Sequence, residues 1–300
     1  MERAKIDWRA QFLLLSAIWG LSFMFIKVGD EALAQLQVAL GRLLCGGATL
    51  LLVLAMRREA LPRDPHVWGH LSVAALLVNA LPFSLFAYGE THVTSVVAGM
   101  WNATTPLLTV LVAMAVLPDE RPTRERGIGL GIGFAGVLVL LGIWHAPTGV
   151  ALVGNLACLG AAACYALGFP YLRKYVSGRP ESGVAPSAGQ VLCGAVALGI
   201  VTPLFTTRPS SLPVATAASV LALGALGTGL AYILNYGVIR AAGATVASTV
   251  TYVIPVFATA AGIAVLGERL SWNEPLGGLL VIMGLAVTQG RVRALAFRTA

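Results

Sequence analysis

The chain repeats itself at a nearly fixed offset. Gly41–Ala48 reads GRLLCGGA, and Gly189–Val196, 148 positions later, reads GQVLCGAV, with Gly, Leu, Cys and Gly in register. A similar offset pairs Trp19-Gly20-Leu21-Ser22-Phe23 with Tyr165-Ala166-Leu167-Gly168-Phe169, and Lys27 with Arg173. It also pairs Tyr88-Gly89 with Tyr236-Gly237, Pro106 with Pro255, Glu120-Arg121 with Glu268-Arg269, and Gly136 with Gly284. Both halves are strongly apolar. Two related membrane halves in one chain build a site at their shared interface, which points to transport.

Only 11% of residues are charged and 57% are hydrophobic, and the mean hydropathy is +0.82. A soluble domain carries about 25% charged residues, so most of this surface faces lipid. The net charge of +7 does not signal nucleic acid, because Lys and Arg sit in short loops between apolar runs rather than on one face. Cys45, Cys158, Cys164 and Cys193 all lie within apolar runs. There a thiol is a small hydrophobe, and neither a disulfide nor a metal site is expected. No cleavable signal pattern precedes the first span, which is expected to stay in the membrane.

Apolar runs of spanning length fall near 9–29, 34–56, 67–88, 93–117, 126–144, 149–172, 187–206, 214–236, 243–266 and 272–290. Arg57-Arg58-Glu59, Pro118-Asp119-Glu120-Arg121-Pro122, His145-Ala146-Pro147, Gly178-Arg179-Pro180 and Arg208-Pro209-Ser210-Ser211 punctuate them. With a cytoplasmic amino terminus, 16 Lys and Arg fall on the cytoplasmic side; 3 (Lys27, Arg208, Arg269) fall on the other, and Arg42 stays inside a span. That bias puts both termini in the cytoplasm. Five spans per half is an odd number, so the second half enters upside down. The expected fold is an all-α integral membrane protein: ten transmembrane helices as two inverted five-helix repeats around a central cavity. Residues 1–146 form the first repeat and 147–300 the second.

The first span carries Ala17-Ile18-Trp19-Gly20-Leu21-Ser22-Phe23 and the second Gly41-Arg42. Pro106 and Pro255 sit in the fourth and ninth spans, and Leu266-Gly267-Glu268-Arg269-Leu270 precedes the last. In this order the motifs resemble the drug/metabolite transporter superfamily, in its EamA-type ten-helix branch, over nearly the whole chain. The resemblance implies a bacterial inner-membrane exporter of small metabolites, often amino acids, with a cavity between the halves. Within the branch the chain is most similar to amino-acid exporters that take aromatic substrates. One departure is Pro118-Asp119-Glu120-Arg121, where the second half has Gly267-Glu268-Arg269; the extra residue shifts the local register.

A midplane site needs polar or aromatic groups facing inward. Trp19, Ser22 and Phe23, Asn79 and Phe83, and Trp101 and Asn102 are the substrate-binding candidates of the first half. Tyr165, Phe169, Tyr232, Asn235, Thr251 and Tyr252 are those of the second. Span 4 adds Thr105. Aromatic faces can stack on apolar side chains or attract an ammonium group, and amides can bond the polar part of an amino acid. The alternative for each is lipid contact, packing or an interface belt. Arg42 is the one strongly basic residue well inside a span. It either meets a substrate carboxylate bidentately or has a structural role, and its repeat mate Gln190 does not repeat the charge.

Asp30, Glu31, Glu90, Glu120 and Glu268 lie at span ends or in loops, as does His92. A proton-coupled carrier places a titratable group on its path, so movement down the substrate's own gradient is expected. Pro106 and Pro255 match across the repeat and read as hinges, although membrane helices also tolerate proline where neighbours repair the backbone. Gly131-Ile132-Gly133-Phe134-Ala135-Gly136 matches a dinucleotide pattern but lies within an apolar span. Gly127/Gly131 and Gly129/Gly133 are instead small-residue packing edges, between spans or in a homodimer. His66 and His70 have metal-ligand spacing without an acidic cluster, and an interfacial pair is preferred.

No cofactor or metal is expected. The partners are a small-molecule substrate and the bilayer, and the chain is a monomer or a homodimer. A membrane-embedded enzyme would need clustered acids, bases or a nucleophile within the bilayer, and a signalling protein would need further domains. A cationic-drug exporter would favour a deep acidic residue, and a nucleotide-sugar carrier several basic ones.

Overall fold

The computed structural model describes residues 7–116, 123–142, 149–176, 183–247 and 249–288. Pro118–Pro122, His145–Pro147, Gly178–Pro180 and the terminal basic residues Arg3, Lys5, Arg291, Arg293 and Arg298 lie outside them. All regular structure among the described residues is helical. The first half contains α1 (Trp8–Asp30), α2 (Gln35–Arg57), α3 (Pro65–Ala75), α4 (Leu81–Glu90), α5 (Ser95–Asn102), α6 (Thr105–Val116) and α7 (Arg124–Leu141). The second contains α8 (Val150–Tyr175), α9 (Val184–Phe205), α10 (Val214–Gly224), α11 (Ala231–Ala242), α12 (Ala244–Ala247), α13 (Val250–Ala264) and α14 (Asn273–Thr288). Seven helical stretches have the length and hydropathy to cross a membrane, and three shorter apolar helices bring the described set to ten. Large apolar side chains face outward, among them Leu204 at 73% and Phe205 at 75% exposure, as a lipid-facing wall requires.

Local chemistry sets the helix starts. The Asp7 carboxylate accepts from the Arg9 N–H at 3.1 Å, and Asp64 accepts from His66 N–H at 2.9 Å ahead of Pro65. The Thr94 hydroxyl accepts from Val97 N–H at 3.2 Å and caps α5. Between α3 and α4 the ladder slips into a π-helical segment, Leu76–Ala80. Pro82 has no N–H to give the Val78 carbonyl, and a wider turn accommodates the loss. A second π segment, Ala225–Leu230, joins α10 to α11 at the matching place in the other half.

The two halves exchange contacts. Helix α1 packs on α10, α11 and α13, while α8 packs on α4, α5 and α6. Each half's first span thus lies against the third and fourth spans of the other. The second spans pair with each other as α2 against α9, and the fifth as α7 against α14. Glycine permits the α7–α14 approach. A Cβ on Gly129 would stand 2.5 Å from the Gly284 carbonyl oxygen, and one on Gly277 2.5 Å from the Leu140 nitrogen. The Gly129/Gly133 edge therefore packs within the chain. Gly127 and Gly131 on the other edge meet nothing within 4 Å.

Candidate functional site

A cavity of 540 Å³ lies between the halves. It runs from Phe23, Ile26 and Phe86, each at most 5% exposed, to Ile239 at 37% near the ends of α8 and α11 and the start of α9. The first end is buried, and the second is the more exposed of the two. Trp19, Ser22, Phe23, Phe83, Asn102, Tyr165, Phe169, Tyr232, Asn235 and Thr251 line it, as do Arg42 and Thr105.

Arg42 is the only charged residue on the described wall. Its Nε–H donates to Thr228 Oγ1 at 3.0 Å and an Nη2–H to the Gly227 carbonyl at 3.4 Å. Trp19 Nε1–H donates to that same carbonyl at 3.1 Å. Both acceptors belong to the π segment of the second half, where widened winding turns a carbonyl aside. Close helix approach makes this possible: a Cβ on Gly224 would fall 2.7 Å from the Arg42 carbonyl oxygen. The guanidinium lies over the Phe83 ring, 3.7 Å from its centroid. These bonds leave three of the guanidinium's five N–H donors without a partner among the described residues, and the side chain lines the cavity.

The converse arrangement occurs across the cavity. Gln190, the repeat mate of Arg42, donates from Nε2 to Asn79 Oδ1 at 2.5 Å. Asn79 Nδ2 in turn donates to the Tyr232 hydroxyl at 2.7 Å. Asn79 belongs to the π segment of the first half. Each second span thus anchors on the π segment of the opposite half, with a charge on one side and an amide on the other.

Aromatic rings continue the wall. Phe23 meets Phe86 edge-on at 5.4 Å, Phe86 lies 6.3 Å from Tyr165, and Tyr165 stacks on Phe169 at 5.5 Å. Asn102 and Thr251 stand where the fourth and ninth spans are broken. Four residues on, Pro106 and Pro255 cannot donate to their carbonyls. Pro106 opens α6 after the break at Ala103-Thr104, whereas Pro255 lies inside α13, after a break near Thr249. The two breaks are alike in kind and differ in register.

Three sequence candidates stand elsewhere. Trp101 is 0% exposed, and its indole N–H donates to Asn155 Oδ1 at 2.8 Å, holding α5 to α8 in the core. Asn79 supports the wall from behind through Tyr232. Tyr252 is half-buried outside the lining. Phe86, Gln190 and Tyr236 also line the cavity and are not among the binding candidates above. Phe86 follows Phe83 by three residues and Tyr236 follows Tyr232 by four, spacings that share a helix face.

Outside the cavity, His70 Nδ1 bonds the Tyr171 hydroxyl at 2.8 Å and the ring stacks on Tyr175 at 4.8 Å. Glu268 closes the α5 N-terminus, accepting from Ser95 N–H at 2.8 Å, Ser95 Oγ–H at 2.9 Å and Val96 N–H at 3.1 Å. Glu90 ends α4, as its position suggests, yet it is 0% exposed rather than solvated.

The sequence profile described as "EamA-like transporter family" matches twice, over residues 8–142 and 152–289. The chain is 26% identical to the "Uncharacterized transporter YoaV" of Bacillus subtilis, covering 90% of this chain and 92% of that one. It is 27% identical to the "Uncharacterized inner membrane transporter YedA" of Escherichia coli K12, covering 92% and 89%. A solved crystal structure of another protein shares the fold, with a TM-score of 0.66 at 22% identity over 97% of this chain and 100% of that one.

Proposed function

Because the chain belongs to the EamA-like transporter family and is a multi-pass membrane transporter rather than an enzyme, we propose that it exports amino acids, aromatic ones included, by alternating access through the central cavity. The observation that carries this reading is the wall itself. It is aromatic, and among its described residues Arg42 is the only charge and no carboxylate is present. The guanidinium suits a substrate carboxylate. Tyr165, Phe169 and Trp19 suit an apolar or aromatic side chain and attract an ammonium group. Asn102, Asn235 and Thr251 supply acceptors for the same ammonium. A cationic drug would find no counter-charge there.

Residues 1–146 and 147–300 act in this reading as inverted repeats in a bacterial inner membrane, with both termini in the cytoplasm and the more exposed end of the cavity facing it. The wall comes from one chain, so a single protomer is the transport unit, with the bilayer as its other partner. Pro106 and Pro255 let the broken spans flex as the halves rock. Counterflow in proteoliposomes tests the substrate class: labelled phenylalanine should exchange and a quaternary-ammonium drug should not. Exchange of the drug but not of the amino acid would refute the assignment.

A further inference from the structure

At the buried end of the cavity, within one turn of Ile26 and Phe86, lie Lys27 and Asp30 of α1 and Glu90 of α4. Glu90 is fully buried, and neither of its carboxylate oxygens has a hydrogen-bond donor among the described residues. Both oxygens of Asp30 are likewise buried without a donor. Lys27 does not serve them. Its Nζ donates to the backbone carbonyl of Val93 at 3.0 Å and to that of Glu90. Glu268, across the gap, is fully engaged with the α5 N-terminus. Arg42 of α2 and Cys158 of α8 are the other titratable groups that act on Glu90 or feel it, and the His92 ring is bonded to Thr91 and Tyr88.

Packing does not demand acids here. In the second half, the positions matching Asp30 and Glu90 by the repeat offset are Val176 and Val238, both buried. The first half thus holds two carboxylates, one fixed ammonium and no further donor, at the end that must open when the cavity turns over. A carboxylate sealed from water without donors is strongly disfavoured, whereas the protonated acid is tolerated. Both acids meet this penalty, and Asp30 is common to every chain compared below, so a change at Glu90 alone reads Glu90's own proton.

We propose that Glu90 is a proton-binding site that locks this end of the transporter shut. The carboxylate takes one proton from water on that side as the end closes, and returns it to the same water when the end opens. No proton crosses the membrane in this step, so the site sets how readily the end opens rather than driving accumulation. The proposal rests on the alternating-access reading but not on the substrate, and its test needs none.

Val96, 1% exposed beneath Glu268, is replaced by cysteine in a chain whose four native cysteines are alanine. Labelling by a membrane-impermeant maleimide is followed in proteoliposomes from about pH 5 to about pH 9, with and without Glu90→Gln. The ratio of the two rates cancels the thiol's own titration. Glu90→Gln cannot ionise and should stay shut, so the ratio of acid to amide chain should rise with pH by up to about tenfold per unit, the limit for one linked proton. A ratio independent of pH overturns the proposal. If Glu90→Gln fails to fold, Glu90→Val, copying Val238 of the other half, takes its place with the same two outcomes.

Discussion

Replacing Arg42 by lysine keeps a positive charge in the cavity and removes the planar fork. The guanidinium is fixed from behind by Thr228 and Gly227 and from one face by Phe83, so it meets a carboxylate without reorganising. A flexible ammonium there loses that geometry. A charged hydrogen bond of this kind contributes about 1.5–3 kcal/mol, so phenylalanine should bind Arg42→Lys about 10- to 150-fold more weakly. Phenethylamine, which lacks the carboxylate, should change by less than about threefold. Removing only the tether, in Thr228→Val, should weaken phenylalanine by about fivefold, the equivalent of one ordinary hydrogen bond. Equilibrium binding of both ligands to purified, monodisperse protein is the assay. Equal weakening of the two ligands in Arg42→Lys would assign Arg42 to structure alone, and unchanged phenylalanine affinity would remove it from the site.

Tyr165→Ala breaks the stack with Phe169 and should reduce counterflow of phenylalanine more than that of alanine; equal loss for both would count against an aromatic subsite. Trp101→Phe removes the bond to Asn155 in the core and should cost about 1–3 kcal/mol of stability, read as a lower melting temperature with substrate affinity intact. Gly284→Leu drives a side chain into the α7 backbone, where even a Cβ would lie 2.6 Å from the Gly129 carbonyl oxygen, and should sharply reduce yield and thermal stability. Gly131→Leu, on the open edge, should leave both unchanged.

The number and order of spans were readable because apolar length has no substitute in a bilayer, and the repeated Gly, Pro and aromatic positions fall within the two stretches that the family profile matches. Rotation of each helix about its axis was much less readable. A span that is apolar all round offers no polar stripe to fix its phase, so Trp101 and Asn102, adjacent in sequence, looked equivalent while one belongs to the core and the other to the cavity. Phe86 is a further example: nothing in an apolar run marks it as inward-facing, and only its spacing of three from Phe83 puts the two rings on one face. The π segments are another case. The pattern of apolar residues does not register an extra residue in one turn, yet that residue brings Gly227 towards Arg42 and Asn79 towards Tyr232. Glu90 differs for another reason. A helix-end acid normally reaches water, but here α8 closes over the end of α4, with the Cys158 sulfur against Gly89.

The crossed anchoring of the second spans has a consequence for the life of the polypeptide. Until Thr228 and Gly227 are threaded into the membrane, Arg42 has no acceptor from the later half, and until Gln190 arrives Asn79 lacks its amide neighbour. A chain interrupted after its fifth crossing would therefore leave a bare guanidinium in hydrocarbon, a mark by which quality control can tell an unfinished copy from a complete one.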